Sequence, residues 1–332
     1  MRCSVGKNLA ERMFIVTETC RQKPDSGRQV SLRAQINDLL VVIVNWNTAQ
    51  LLERCLTSLA GAFDGLSVRT VVVDNASTDG SAEMVARKFP WVELLHNQEN
   101  VGYARANNQA LLPYADDTSY TLLLNPDTEV PVGTLRGMID FMEGHPEAGI
   151  AGCRVVRPDG QLDWACRRGY LKPSALFYRA LRLDRMFPNS RHFATYSLTY
   201  LDDNHVHEVT TVAGAFMMIR RECLAATGLL DESYFMYSED TDLCYRAKAL
   251  GWKVFYAPVS TILHHKGMST SKRSYMMIRH WYGSTWKLYR KQIGPKYSAM
   301  VNALVWSGLW TMCAISLTAN LLRPIKRVPS RK

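Results

Sequence analysis

Apolar and polar positions along this chain come in blocks. Residues 39–44 form a continuous, largely β-branched apolar run that ends in Asn45, Trp46, Asn47 and Thr48, after which Leu51, Leu52, Cys55, Leu56 and Leu59 recur at helical spacing. An apolar run of that length bounded by polar turn residues predicts a buried strand, and the spacing behind it predicts a helix. Residues 70–73 repeat the pattern, ending in Asp74, Asn75, Ala76, Ser77, Thr78 and Asp79 ahead of a helix-like segment at 81–89. A third strand at 92–95 runs through His96 and Asn97 into an Ala-rich helical stretch at 104–112. Strands alternating with helices predict a doubly wound, mostly parallel α/β sheet flanked by helices.

Each of these strands ends in a turn rich in Asn, Asp or Ser, and in an open α/β sheet such turns line one crevice at the carboxyl edge. The crevice is of a size for a nucleotide, with Asp74 placed to accept from ribose hydroxyls or from ring N–H groups. Helix capping is the plainer reading of the same residues. It accounts well for Ser77 or Asp79 and poorly for Asp74 and Asn75, which stand right at the strand end. A later apolar run, 122–124, stops at Asn125, Pro126 and Asp127. Pro cannot continue a central strand, so Asn125 and Asp127 are delivered to the same edge. No G-x-G-x-x-G follows a strand and no G-x-x-x-x-G-K-[ST] occurs, so a cation rather than backbone amides must carry a diphosphate here. Asp127 offers that cation an oxygen, and a later His offers a nitrogen.

The densest polar chemistry lies at 234–269, where Glu239, Asp240, Asp242, Arg246, His264 and His265 sit in an aromatic-rich stretch. Adjacent carboxylates repel, and a protein holds them together when a cation, a base function or an Arg partner offsets the cost. Asp242 lies four positions before Arg246, the spacing of a helical ion pair, and is read as structural.

At 332 residues and 47% hydrophobic content the chain can bury a full core in one large domain or two ordinary ones. Its eight cysteines contain no C-x-x-C pair, so reduced, cytosolic thiols are expected rather than a zinc site or a disulfide framework. The net charge of +10 is concentrated late, at Lys266, Lys272, Arg273, Arg279, Lys287, Arg290, Lys291 and Lys296 and again over 323–332, interleaved with Trp281, Tyr282, Trp286 and Tyr289. Basic residues with interfacial aromatics point to a membrane surface. They flank an apolar segment instead of standing on a polar face, which argues against nucleic acid. Residues 297–322 carry no charge and are long enough to cross a bilayer core of about 30 Å. Asn302, Ser307, Thr311, Ser316, Thr318 and Asn320 dilute their hydrophobicity, which favours a monotopic or re-entrant anchor over a clean span; a buried core helix is the alternative. Residues 1–37 lack a signal-peptide core and are expected to be a disordered leader, with Met13 as an alternative start.

Six ordered blocks carry a resemblance. VVIVNWNT at 41–48, VVVDNASTDGS at 71–81, ENVGYARANNQA at 99–110, LLLNPDT at 122–128, GAFMMIRR at 214–221 and YSEDTDLCYRAKALGW at 237–252 resemble the family 2 glycosyltransferases of GT-A fold, in particular bacterial rhamnosyltransferases acting on lipid-linked saccharides. The resemblance, which runs over about 39–271, implies a catalytic domain at 38–275 followed by a basic, aromatic, membrane-associating part at 276–332. It implies that Asn45, Asn47, Asp74, Asn75 and Asn107 hold the donor nucleotide, and that Asn125, Gly214 and Ala215 line the sugar pocket. The family's metal-binding D-x-D turn falls on Asn125, Pro126 and Asp127, with Asn at the first position, so that Asp127 and His264 would bind Mg²⁺ or Mn²⁺. Asp240 would be the base that deprotonates the acceptor, assisted by Glu239, with inversion at the anomeric carbon. The implied donor is dTDP-L-rhamnose and the implied acceptor a polyprenyl-diphosphate-linked saccharide, at the cytoplasmic face of the inner membrane and held there peripherally or monotopically. A UDP-hexose or UDP-N-acetylhexosamine transferase of capsule or O-antigen assembly is the runner-up, and a non-catalytic sugar-nucleotide-binding scaffold is the alternative of another class.

Overall fold

The computed structural model describes residues 37–265 and 275–322. The leader at 1–37 lies almost wholly outside these residues, as do Lys266, Lys272, Arg273 and the basic tail at 323–332. In chain order the strands are β1 (Asn37–Asn45), β2 (Val68–Asp74), β3 (Val92–His96), β4 (Thr118–Leu124), β5 (Thr128–Glu129), β6 (Ala148–Val156), β7 (Arg167–Arg168), β8 (His207–Val209), β9 (Thr211–Val212), β10 (Phe216–Arg220) and β11 (Lys253–His264). The helices are α1 (Ala49–Gly61), α2 (Ser81–Lys88), α3 (Tyr103–Tyr114), α4 (Thr134–Gly144), α5 (Pro173–Ala180), α6 (Leu183–Met186), α7 (Arg221–Thr227), α8 (Glu239–Ala249), α9 (Tyr275–Leu288) and α10 (Ala299–Leu322).

The central sheet runs β3-β2-β1-β4-β10-β6-β11-β5, with β8 paired to β11. Strands β3, β2, β1 and β4 are mutually parallel and β11 is parallel to β6, whereas β10, β5 and β8 run antiparallel to their neighbours. The sheet is therefore mixed and mostly parallel. Its core follows from the apolar runs: Leu39 to Ile43, Val71 to Val73 and Leu122 to Leu124 are all but inaccessible to solvent, as expected of strands covered by helices on both faces. The register aligns Asn45 with Asp74 and Asp74 with His96, so the polar turns meet at one edge.

The long strand β11 slips register between Tyr256 and Thr261, around Pro258, which has no N–H to give to a ladder. Its far end pairs antiparallel with β5, setting His264 opposite Thr128. Helix α10 is the one described helix long and apolar enough to cross a membrane, and only 17% of its most apolar window is buried. A buried core helix is thus not what these residues form. Met300, Leu304, Trp306, Trp310, Ile315, Leu321 and Leu322 are all exposed along it.

Candidate active site

The turns that end β1 and β2 are knitted together by the residues that begin them. The amide of Asn45 donates to Asp74 Oδ1 at 2.9 Å and to Ser77 Oγ at 3.1 Å, and Asp74 Oδ2 accepts from the Ser77 N–H at 3.0 Å. The Asn75 amide donates to Asn100 Oδ1, while its own Oδ1 accepts from Asn97 and from the Val101 N–H. Asn45, Asp74 and Asn75 are buried, Asn45 and Asp74 bonded to each other and Asn75 to the loop at 97–102; Asn47 is exposed and accepts from the Thr78 N–H at 2.8 Å. Asp79 does the capping anticipated for this turn, accepting from Ala49 N at the start of α1 and Ser81 N at the start of α2. Asn107 lies buried in α3, its amide on the Tyr103 carbonyl and its own oxygen without a partner.

A second group converges on a cavity of about 200 Å³ lined by Asn125, Asp163, Arg168, Gly214, Ala215, Glu239, Asp240 and His264. The β5–β11 pairing places His264 Nε2 3.0 Å from Asp127 Oδ1 and 3.4 Å from the Asn125 amide nitrogen. The other ring nitrogen, Nδ1, is 3.3 Å from Asp163 Oδ2. Burial opposes the charge on this imidazole, but the hydrogen bonds to Asp127 and Asp163 outweigh it and raise its pKa to about 9. His265 turns away: its ring meets Glu129 at 2.7 Å and its N–H holds the Asp127 carbonyl at 2.8 Å.

A divalent cation fits this donor set. Asp127 and His264 present one oxygen and one nitrogen close enough to reach a single ion, and Asp163 behind Nδ1 is the carboxylate that commonly orients a ligating imidazole. Among the described residues no group of three or more His, Cys, Asp or Glu has metal-site spacing. The protein would thus supply two ligands and leave the rest to phosphate and water, the usual habit of Mg²⁺ and its relatives at phosphate sites.

Across the cavity, helix α8 begins with Glu239 and Asp240. Just before it, Tyr237 and Ser238 hold φ of +70° and +74°, a left-handed pair of non-glycine residues that costs on the order of 1–3 kcal/mol each and clusters at functional sites. The backbone there aims both carboxyls inward. Asp240 Oδ2 accepts from the Gly214 N–H at 3.2 Å and Oδ1 from the Thr241 N–H at 2.6 Å; Arg168 Nη2 stands 3.5 Å from Oδ2. Gly214 makes room for this arrangement: a Cβ there would come within 3.2 Å of the Tyr103 hydroxyl. Glu239 is buried with one oxygen unpartnered. Burial first, then the neighbouring Asp240, lifts its pKa well above the carboxylate range, with Arg168 pulling the other way.

A pH effect follows. A carboxyl whose folded pKa is raised stabilises the fold fully below its unfolded value, and that contribution is lost as pH climbs through the raised one. Wild-type Tm should therefore decline from mildly acidic to mildly alkaline pH more steeply than that of Glu239→Gln, whose amide does not ionise. Parallel Tm–pH curves for the two proteins would remove Glu239 as the buried acid.

The cavity thus gathers Asn125, Gly214, Ala215, Glu239, Asp240 and His264, and Asp127 stands behind it, 3.0 Å from His264. The buried asparagines and Asp74 brace the neighbouring turns. Tyr103, Asp163 and Arg168 also face the cavity, and sequence reasoning missed all three. Tyr103 stands in a recognised block but carries no charge to draw attention, and Asp163 and Arg168 lie in a stretch without periodicity.

The sequence profile of the family described as "Glycosyltransferase like family 2" matches residues 37–296. The chain is 30% identical over 258 residues, covering 70% of this chain and 78% of the relative, to the N-acetylglucosaminyl-diphospho-decaprenol L-rhamnosyltransferase of Mycobacterium tuberculosis. It is 26% identical over 174 residues, covering 49% of this chain and 61% of the relative, to the rhamnosyltransferase WbbL of Escherichia coli. Among solved structures, the mannosyltransferase PcManGT of Pyrobaculum calidifontis, in complex with GDP-Man and Mn²⁺, superimposes with a TM-score of 0.53 at 16% identity, over 88% of this chain and 77% of that one. A mixed, mostly parallel sheet with this site at its edge, a matching profile over most of the chain and such relatives make this chain a member of the family 2 glycosyltransferases with the GT-A fold.

Proposed function

We propose that the chain is a membrane-associated, inverting glycosyltransferase that moves L-rhamnose from dTDP-rhamnose onto a saccharide linked through a diphosphate to a polyprenol. The observation that carries this reading is the single cavity in which Asp240 faces the Asp127–His264 pair. Asp240 acts as general base in this reading: as the acceptor oxygen bonds to the anomeric carbon, its proton passes to the Asp240 carboxylate. The bond from that carbon to the diphosphate breaks, and the nucleoside diphosphate leaves. Attack from the face opposite the leaving group inverts the anomeric centre. Positioned proton transfer of this kind contributes about 10² to 10⁴ in rate.

Asp127 and His264 would hold a divalent cation, Mg²⁺ or Mn²⁺, whose chemistry there is to stabilise the negative charge of the departing diphosphate as a Lewis acid. Asp163 orients His264. The turns headed by Asn45, Asp74 and Asn75 shape the nucleotide crevice, and Asn47, the exposed member, touches the nucleotide in this reading. Helix α10 and the basic, aromatic α9 associate the enzyme with the cytoplasmic face of the membrane.

The expected result with detergent-solubilised protein is release of dTDP from dTDP-rhamnose that requires both a divalent cation and an N-acetylglucosaminyl-diphosphoryl-polyprenol acceptor. Release only from a UDP-sugar would keep fold and chemistry but replace the donor. No turnover of dTDP-rhamnose, UDP-hexoses or GDP-mannose, with nucleotide still bound, would make the chain a sugar-nucleotide-binding scaffold and end the catalytic reading.

A further inference from the structure

Next to the catalytic carboxylates the cavity lining turns basic. Arg168 and Arg179 share one ring: Arg168, 3.5 Å from Asp240 on one side, lies beside the Tyr196 phenol on the other, and the Arg179 guanidinium carbon sits 4.7 Å from the Tyr196 ring centre. Arg168 commits its Nε to the Ala165 carbonyl at 3.1 Å, and its Nη2 makes only a long, 3.5 Å approach to Asp240. With a third donor on the Tyr196 phenol, two of its five donors remain for a ligand. Besides His264, which is taken up by Asp127 and Asp163, Arg168 and Arg179 are the basic side chains lining this cavity, so an anionic group entering it finds its favourable partners beside them.

Beyond the arginines the lining turns apolar, with Leu171, Leu176, Trp281 and Leu288. Leu176 and Trp281 face two ways. Both also pack against the seam where Ile278 and Tyr282 of α9 meet Leu309 and Cys313 of α10. The cavity therefore grades from carboxylates, through two cations, to an apolar wall continuous with the one described helix long and apolar enough to cross a membrane.

We propose that Arg168 and Arg179 bind the diphosphate of the lipid-linked acceptor, and that its polyprenyl chain runs past Leu176 and Trp281 toward α10. The order sugar, diphosphate, hydrocarbon along such an acceptor matches the order carboxylate, guanidinium, apolar wall along the cavity. Arginine suits this task because its planar fork meets phosphate oxygens two at a time. The inference rests on the reading of the acceptor given above, so its test uses a probe that has the lipid and the diphosphate but no sugar.

Farnesyl diphosphate is titrated calorimetrically into the full-length, detergent-solubilised protein in EDTA, so that no cation at Asp127 can hold the diphosphate. Wild type should bind it and should not bind farnesol. Arg179→Gln, an exposed helix position where folding is not at risk, and Arg168→Gln should each weaken binding by about tenfold or more, as expected for loss of a charge-assisted contact. Arg168→Lys should restore part of the loss. With Mg²⁺ present, dTDP should bind both Gln variants as it binds wild type, which also verifies that they are folded. Equal farnesyl diphosphate affinity in wild type and both variants would overturn the proposal, as would variants that lose dTDP instead, since the arginines would then serve the donor. Failure of the reading itself shows elsewhere, as wild-type protein that transfers sugar equally well to a glycoside without the diphosphate.

Discussion

Asp240→Asn is expected to lower kcat for sugar transfer by about 10² to 10⁴-fold, the range that a positioned general base contributes, while dTDP binding stays at the wild-type level. The substitution keeps size and shape. It keeps one oxygen to accept from either Gly214 N or Thr241 N, which now take one carboxylate oxygen each, and it turns an NH₂ toward the other donor. The structural penalty is one hydrogen bond, about 1 kcal/mol. It also removes a negative charge beside Glu239 and Arg168, which relieves the former and leaves the latter less compensated. A near-normal Tm together with a collapsed kcat is therefore the signature of a base, because the amide cannot accept the acceptor's proton. Steady-state kinetics beside a thermal melt decide it. A kcat within a few-fold of wild type would move the base function to another group, with Glu239 the nearest candidate.

How much of this site the sequence discloses depends on what holds each residue in place. Asn125 and Asp127 were readable because a local rule positions them: an apolar run stopped by Pro126 ends at the carboxyl edge whatever the rest of the chain does. Asn45, Asp74 and Asn75 were placed at that edge by the same logic. Residue type alone could not show that Asn45 and Asp74 bond to each other across 29 positions, which makes them braces of the crevice. The full strand that carries His264 was not legible, since Pro258 interrupts the pattern of what is one strand, Lys253–His264, with an irregular register. Asp163 and Arg168 were invisible for a deeper reason. They sit in a short turn and a two-residue strand, Arg167–Arg168, held by pairing with Thr211–Val212, and two residues carry no periodicity to read. The antiparallel insertion of β10 between β4 and β6 is likewise set by long-range packing, which is why a plain doubly wound sheet describes only the first half of the chain well.

Asp242→Ala should destabilise the protein by about 3 kcal/mol, at the lower end of what breaking a buried ion pair from one side costs, and should leave kcat of the folded fraction nearly intact. Asp242 lies only two positions from Asp240, and on a helix two positions turn a side chain by about 200°, away from the cavity and into the fold. There its carboxylate is fully buried and takes Arg246 Nε at 2.9 Å, Lys291 Nζ at 2.9 Å and Gln292 Nε2 at 2.8 Å. Arg246 in turn donates to the carbonyls of Thr227, Gly228 and Leu229, and Lys291 also reaches Asp231. One carboxylate thus fastens α8 to the turn after α7 and to the segment that follows α9. Arg246 and Lys291 keep some contact with water, with side chains 21% and 39% exposed, so solvent compensates part of the orphaned charge. That screening sets the expected loss at the low end. Against a total of about 5–15 kcal/mol for a folded protein it is still a large fraction, visible as a Tm lowered by several degrees. An unchanged Tm with lost activity would reverse the assignment and put Asp242 in the chemistry. A lowered Tm with preserved kcat would show that three carboxylates within four positions divide their work by helix face, two toward the substrate and one toward the fold that holds them there.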